Sequence, residues 1–120
     1  MCSSDLFDSG REAAAELLEL EVPPTVIMAS NDDMAAGALI EARKRGIDVP
    51  SGLSVTGFDD TPLASHTWPQ LTTVRQPISE MAQHAAQLLI AGLADQSVSQ
   101  ATERFDCEVV VRGSTAPPKA

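Results

Sequence analysis

The chain has 120 residues, 43% hydrophobic and 21% charged, a length for one ordinary domain or part of a larger one. No apolar run approaches the roughly 18 residues that cross a bilayer, and the first residues have neither the basic start nor the apolar core of a signal peptide. With 17 acidic residues against 8 basic and a net charge of −9, the chain lacks the clustered Lys and Arg that grip nucleic-acid phosphates.

Ser9-Gly10-Arg11-Glu12 has the form of a capping box, with Ser9 at the N-cap and Glu12 at N3. It predicts a helix that carries Ala13, Ala14, Leu17, Leu18 and Leu20 and stops before Pro23-Pro24. Residues 25–30 are continuous in Val, Ile and Met rather than alternating, the pattern of a short buried strand. That run ends in Asn31-Asp32-Asp33. Either Asn31 or Asp32 can cap the next helix, which has acidic residues in its first turn, Arg43, Lys44 and Arg45 in its last, and Gly46 at C′. This charge order suits the helix macrodipole and accounts for the one basic cluster. Met34, Ala35, Ala38, Leu39 and Ala42 form a stripe of mostly small side chains, suited to close packing on a sheet or another helix.

Residues 47–52 form a loop, and residues 53–58 a second strand that ends in Asp59-Asp60. Pro62 is placed to open a short helix. Trp68-Pro69-Gln70 breaks the chain, residues 71–76 give a third strand, and Pro77 closes it. A helix over residues 78–94 carries Met81, Ala82, Ala85, Leu88 and Leu89, followed by a polar loop over 95–100. Phe105, Cys107, Val109 and Val111 alternate through a strand over 104–112, on whose apolar face Cys107 reads as a buried thiol. Cys2 and Cys107 are too few and too far apart for a disulfide framework or a metal knuckle. Four strands and three substantial helices make part of an α/β layer, since doubly wound sheets usually carry about five or six strands. The strand–helix–strand order places Asn31 and Asp59 at the carboxyl ends of neighbouring parallel strands, the edge where open α/β sheets bind ligands.

Val26-Ile27-Met28-Ala29-Ser30-Asn31-Asp32 begins an ordered set of motifs. It continues through Gly46-Ile47-Asp48-Val49-Pro50 and Leu53-Ser54-Val55-Thr56-Gly57-Phe58-Asp59-Asp60. Pro69-Gln70-Leu71-Thr72-Thr73-Val74-Arg75-Gln76-Pro77 and Val111-Arg112-Gly113-Ser114-Thr115 complete it. In this order and spacing the set resembles the effector-binding domain of LacI/GalR-type bacterial transcription regulators, over residues 8–117. The resemblance implies an α/β, parallel-sheet, periplasmic-binding-protein-like (type I) fold, with two subdomains around a ligand cleft. It further implies that the chain holds mostly the C-terminal subdomain of that fold, so that the fold is incomplete here. Residues 1–7 would be an extension outside the family, 8–113 the partial effector-binding domain, and 114–120 a tail. The 78–94 helix would belong to the other subdomain, reached by a crossover near Gln76-Pro77.

From the resemblance, the ligand-binding residues are Asn31, Asp59 and Gln76, with Phe58 as cleft wall or core. A side-chain amide both donates and accepts, and a carboxylate takes charge-assisted bonds, which suits a sugar's hydroxyls. Each has a plainer alternative: Asn31 as an N-cap, Asp59 as a turn former before Pro62. Asp60 reads as a cap or turn residue. Met34, Ala35, Ala38, Leu63, Thr67 and Trp68 are expected at a dimer interface. His66 and His84 stand outside any metal spacing, and no Gly-rich phosphate loop, Gly-x-Ser-x-Gly elbow or other catalytic motif is present. The expected function is therefore one wall of a small-molecule, sugar-type effector site. The parent would be a dimeric cytoplasmic regulator that meets operator DNA through a separate headpiece, with no cofactor, no metal, no membrane and no catalysis. A sugar-binding protein of a transport system shares the fold and is the alternative.

Overall fold

The computed structural model describes residues 3–94 and 102–119. Cys2 and the polar loop over residues 95–100 lie outside the described residues. The chain forms two compact units, Met1–Arg75 with Val109–Ala120, and Gln76–Glu108.

In the first unit, β1 (Val26–Met28) and β2 (Ser54–Thr56) run parallel, with Val26 opposite Ser54, Ile27 opposite Val55 and Met28 opposite Thr56. The helix between them, α2 (Asp32–Lys44), completes the βαβ unit read from the sequence. On the other side of β2 lies β3 (Thr73–Arg75), aligned by a parallel bridge between Thr56 and Thr72. The N–H groups of Gly57 and Asp59 donate to the carbonyls of Thr72 and Val74, at 3.0 and 2.9 Å. β3 also pairs with β4 (Glu108–Val110). The returning C-terminal segment flanks β2, whose Val55 N–H donates to Ser114 O at 2.9 Å.

α2 is capped at both ends as its sequence dictates. Asn31 is extended, and its Oδ1 accepts the Met34 N–H at 2.9 Å. Gly46 takes φ +70° just after the C-cap Arg45. The small-residue stripe packs against α1 (Ser3–Leu18) and the sheet. Two glycines permit the helix contact: a Cβ at Gly10 would stand 2.3 Å from Met34 O, and one at Gly37 would stand 2.2 Å from Phe7 O. Leu53, Val55, Leu71, Ala35, Ala38, Ala42 and Ala64 close the core beneath. Each large aliphatic side chain buried there contributes about 1.5–3 kcal/mol. A short helix, α3 (Pro62–His66), opens at Pro62 as expected.

Several expectations are corrected. Ser9 is not an N-cap: α1 already starts at Ser3, and the Ser9 hydroxyl donates back to Leu6 O at 2.9 Å. The helix ends at Leu18, which leaves Leu20 beyond it. β1 is not buried on both faces, because alternate side chains point oppositely and only the Ile27 face meets the core; Val26 is 45% and Met28 81% exposed. The last strand contracts to Glu108–Val110, and Cys107 before it is exposed rather than buried.

The second unit is built on α4 (Ile78–Ala94), which buries none of its residues. Leu89 and Leu93 are 71% and 88% exposed. The His84 ring stands edge-on to Phe105 with centroids 5.7 Å apart, and its Nε2 lies 3.5 Å from Glu103 Oε1.

Candidate functional site

Past the carboxyl ends of β1 and β2, the Ala29 N–H donates to Thr56 O at 2.9 Å and the Asp32 N–H to Phe58 O at 3.1 Å. The second bond sets Asn31 beside the Phe58-Asp59 segment. Asn31 serves as N-cap through Oδ1, while its Nδ2 has no hydrogen-bond partner among the described residues. Capping and ligand donation therefore use opposite ends of one amide and are compatible. Phe58 is half-buried and Asp59 is exposed.

The backbone at Asp59 and Asp60 is left-handed, with φ of 112° and 53°. Asp tolerates the second value, but φ 112° lies outside the left-handed helical basin and costs on the order of 1–3 kcal/mol. The surroundings hold the turn in place. Asp59 N–H is bonded to Val74 O, and Asp60 is clamped by two arginines. Arg75 Nε donates to its Oδ2 and Arg112 Nη2 to its Oδ1, each at 2.7 Å. The bond from Arg112 holds the Asp60 carboxyl below its ordinary range, against the opposing effect of burial and with further help from Arg75. Asp60 is thus more than the turn residue the sequence suggested. Its partners lie 15 and 52 positions away, beyond the reach of local pattern.

Asp32 is a second organising carboxylate that sequence reasoning missed. It is fully buried. Its Oδ2 accepts the Thr61 N–H at 2.7 Å and the Thr61 hydroxyl at 3.1 Å, and its Oδ1 accepts the Thr73 hydroxyl at 2.6 Å. One carboxylate at the start of α2 therefore fixes the turn after Asp60 and the first residue of β3, in the position a helix N-terminus favours for negative charge. A Cβ at Gly57 would stand 2.4 Å from that Oδ1, so the Gly of the Gly57-Phe58-Asp59-Asp60 motif makes room for Asp32. The signal was present in Asn31-Asp32: once Asn31 takes the cap, Asp32 is directed elsewhere.

Gln76 falls in the second unit, where its carbonyl accepts the Ile78 N–H at 2.9 Å. Among the residues expected at an interface, Ala35 and Ala38 are core, 0% and 1% exposed, in the cluster with Ala14, Ile27 and Val55. Met34, Leu63 and Thr67 are half-buried, and Trp68 is 86% exposed. Trp68 borders a cavity of ≈ 500 Å³ shared with Leu39, Arg43, Ile47, Val49 and Pro69. That cavity lies where the chain enters β2 and β3, at the sheet edge opposite Asn31 and Asp59. No group of three or more His, Cys, Asp or Glu suited to a metal occurs among the described residues, and no helix among them is long and apolar enough to cross a membrane.

The sequence model of the periplasmic binding protein-like domain matches residues 2–115. The HTH-type transcriptional repressor CytR of Escherichia coli K12 is 40% identical over 109 residues, 91% of this chain and 32% of that protein. A LacI family transcriptional regulator from Enterococcus faecium with bound ribose superposes with a TM-score of 0.82 at 31% identity, over 94% of this chain and 41% of its own. A CelR transcriptional regulator–cellobiose complex gives a TM-score of 0.85 at 31% identity, over 90% and 33%. The chain thus spans about a third (32%) of the curated relative's length.

Proposed function

From a chain that belongs to the periplasmic binding protein-like domain family, and within it to the effector-binding domains of LacI/GalR-type transcription regulators, we propose one wall of a sugar-binding cleft. The supporting observation is the Asp32 N–H to Phe58 O bond, which sets Asn31 and Asp59 side by side at the carboxyl edge of the parallel strands. Asn31 Nδ2 donates to a ligand oxygen and the Asp59 carboxylate accepts from hydroxyls, with Phe58 beside them. Sugars are the favoured class because two structural neighbours hold ribose and cellobiose.

In the regulator, binding works by population shift. A ligand that prefers one arrangement of the effector domain changes how a dimer presents its DNA-binding headpieces to operator half-sites, and no chemistry on the ligand is needed. Leu63, Thr67 and the exposed Trp68 are the candidate dimer contacts. The regulator is cytoplasmic, where its operator is. The relatives are transcription regulators, which favours this reading over a transport protein of the same fold.

Titration calorimetry of the regulator with a panel of mono- and disaccharides, followed by operator binding with and without the sugar that binds, tests the proposal. A sugar that binds and shifts operator affinity is the expected result. No response to any sugar would remove the sugar assignment.

A further inference from the structure

We propose that Asp60 is the positioning residue for the Asp59 carboxylate, acting through its clamp on Arg75 and Arg112. The inference rests on the reading of Asp59 as the ligand-binding acid. Each Asp60 oxygen takes one cation, Oδ2 from Arg75 Nε and Oδ1 from Arg112 Nη2, both at 2.7 Å. The Asp60 side chain is only 8% exposed and Arg112 17%, so that bond is shielded from water, while Arg75 closes the other oxygen from the solvent side at 51% exposed. Arg112 is itself fixed: Nη1 donates to Leu71 O and its backbone N–H to Thr72 Oγ1, each at 3.0 Å. The clamp is therefore anchored to the strand next to β2, not to mobile side chains alone.

The turn needs such an anchor. Two consecutive residues with side chains sit at φ 112° and 53°, and a free chain would relax from the first of these. Relaxation would turn the Asp59 side chain away from its present direction. The arginines also stand at special places. Arg75 is the last residue before the chain passes into the second unit at Gln76, and Arg112 follows soon after the return at Val109. The turn that aims Asp59 is thus tied to two arginines of the first unit, Arg75 and Arg112.

The test is amide hydrogen exchange on the full chain, wild type against Asp60→Asn. The Asp59 N–H, bonded to Val74 O, is the probe, and the Val55 N–H, bonded to Ser114 O, is the internal reference. Protection at Asp59 is expected to fall by about tenfold more than at Val55, as for a local opening. Equal loss at both amides, or none at Asp59, would overturn the proposal. Where Asp60→Asn does not fold, Arg112→Lys makes the same comparison, since a single ammonium cannot reproduce the fork that joins Asp60 to Leu71 O. A second arm titrates the regulator with ribose and with cellobiose. If either binds, Asp60→Asn should weaken it by about tenfold, and unchanged affinity would overturn the proposal. If neither binds, the choice of sugar fails, and the exchange result still decides whether Asp60 sets the turn.

Discussion

The Thr73 hydroxyl donates to Asp32 Oδ1 across 2.6 Å, joining the start of β3 to the first turn of α2 over 41 positions of sequence. With the two bonds from Thr61, it makes a buried carboxylate the keystone of the strand-end turn.

Asp32→Ala should therefore be severely destabilising. It orphans the Thr61 N–H and leaves two hydroxyls without their acceptor, at roughly 1–3 kcal/mol for each buried group left unsatisfied. Thr73→Val removes one donor and should cost about 1 kcal/mol. Urea unfolding midpoints check both. A midpoint for Asp32→Ala equal to that of wild type would refute the keystone role.

Asp59→Gly should move the other way. Glycine adopts φ 112° without strain, so the variant is expected to gain about 1 kcal/mol in calorimetric unfolding while losing sugar affinity. A loss of stability would show that the turn is not strained, and unchanged affinity would remove Asp59 from the site.

Acid should release the Asp60 clamp. The folded-state pKa is lowered below the ordinary 3.8, chiefly by the Arg112 hydrogen bond. The clamp's contribution is thus fully present above that ordinary value and is lost as pH falls through the depressed folded value. Glu41, lowered by its bond from Arg45, adds a loss of the same sign. Acid unfolding of Asp60→Asn should be less steep than wild type below pH 3.8. Identical acid limbs would contradict a charged clamp.

The 120-residue chain alone should associate and bind sugars weakly, because α4 buries nothing and exposes Leu88, Leu89, Ile90 and Leu93. Sedimentation velocity should show concentration-dependent oligomers that Leu89→Lys with Leu93→Lys reduces. A monomer at all concentrations would argue against an adhesive α4, and micromolar sugar binding by the isolated chain would show that one wall suffices.

Local sequence sufficed where the controlling partner is local. Gly46 at C′ and Pro62 at the start of α3 depend on neighbours a few residues away, and the capping of α2 by Asn31 or Asp32 was legible for the same reason, with Asn31 taking the cap. Ser9 misled because a hydroxyl serves a helix interior, by bonding to Leu6 O, as readily as a cap. Cys107 and the flanks of β1 misled because alternation or continuity in the sequence states a preference for burial without supplying the layer that buries.

The class of the fold, the sheet edge that carries Asn31 and Asp59, and the family to which the chain belongs are all legible in the order and spacing of the residues. The division of labour among Asp32, Asp59 and Asp60 emerges only once the chain is folded. Asp32 is buried under Thr61 and Thr73, Asp59 is exposed at the edge, and Asp60 is held between Arg75 and Arg112. The reason is physical. A carboxylate's role follows from the donors that surround it, and the donors to Asp32 and Asp60 come from strands and turns 15 to 52 residues away in the chain.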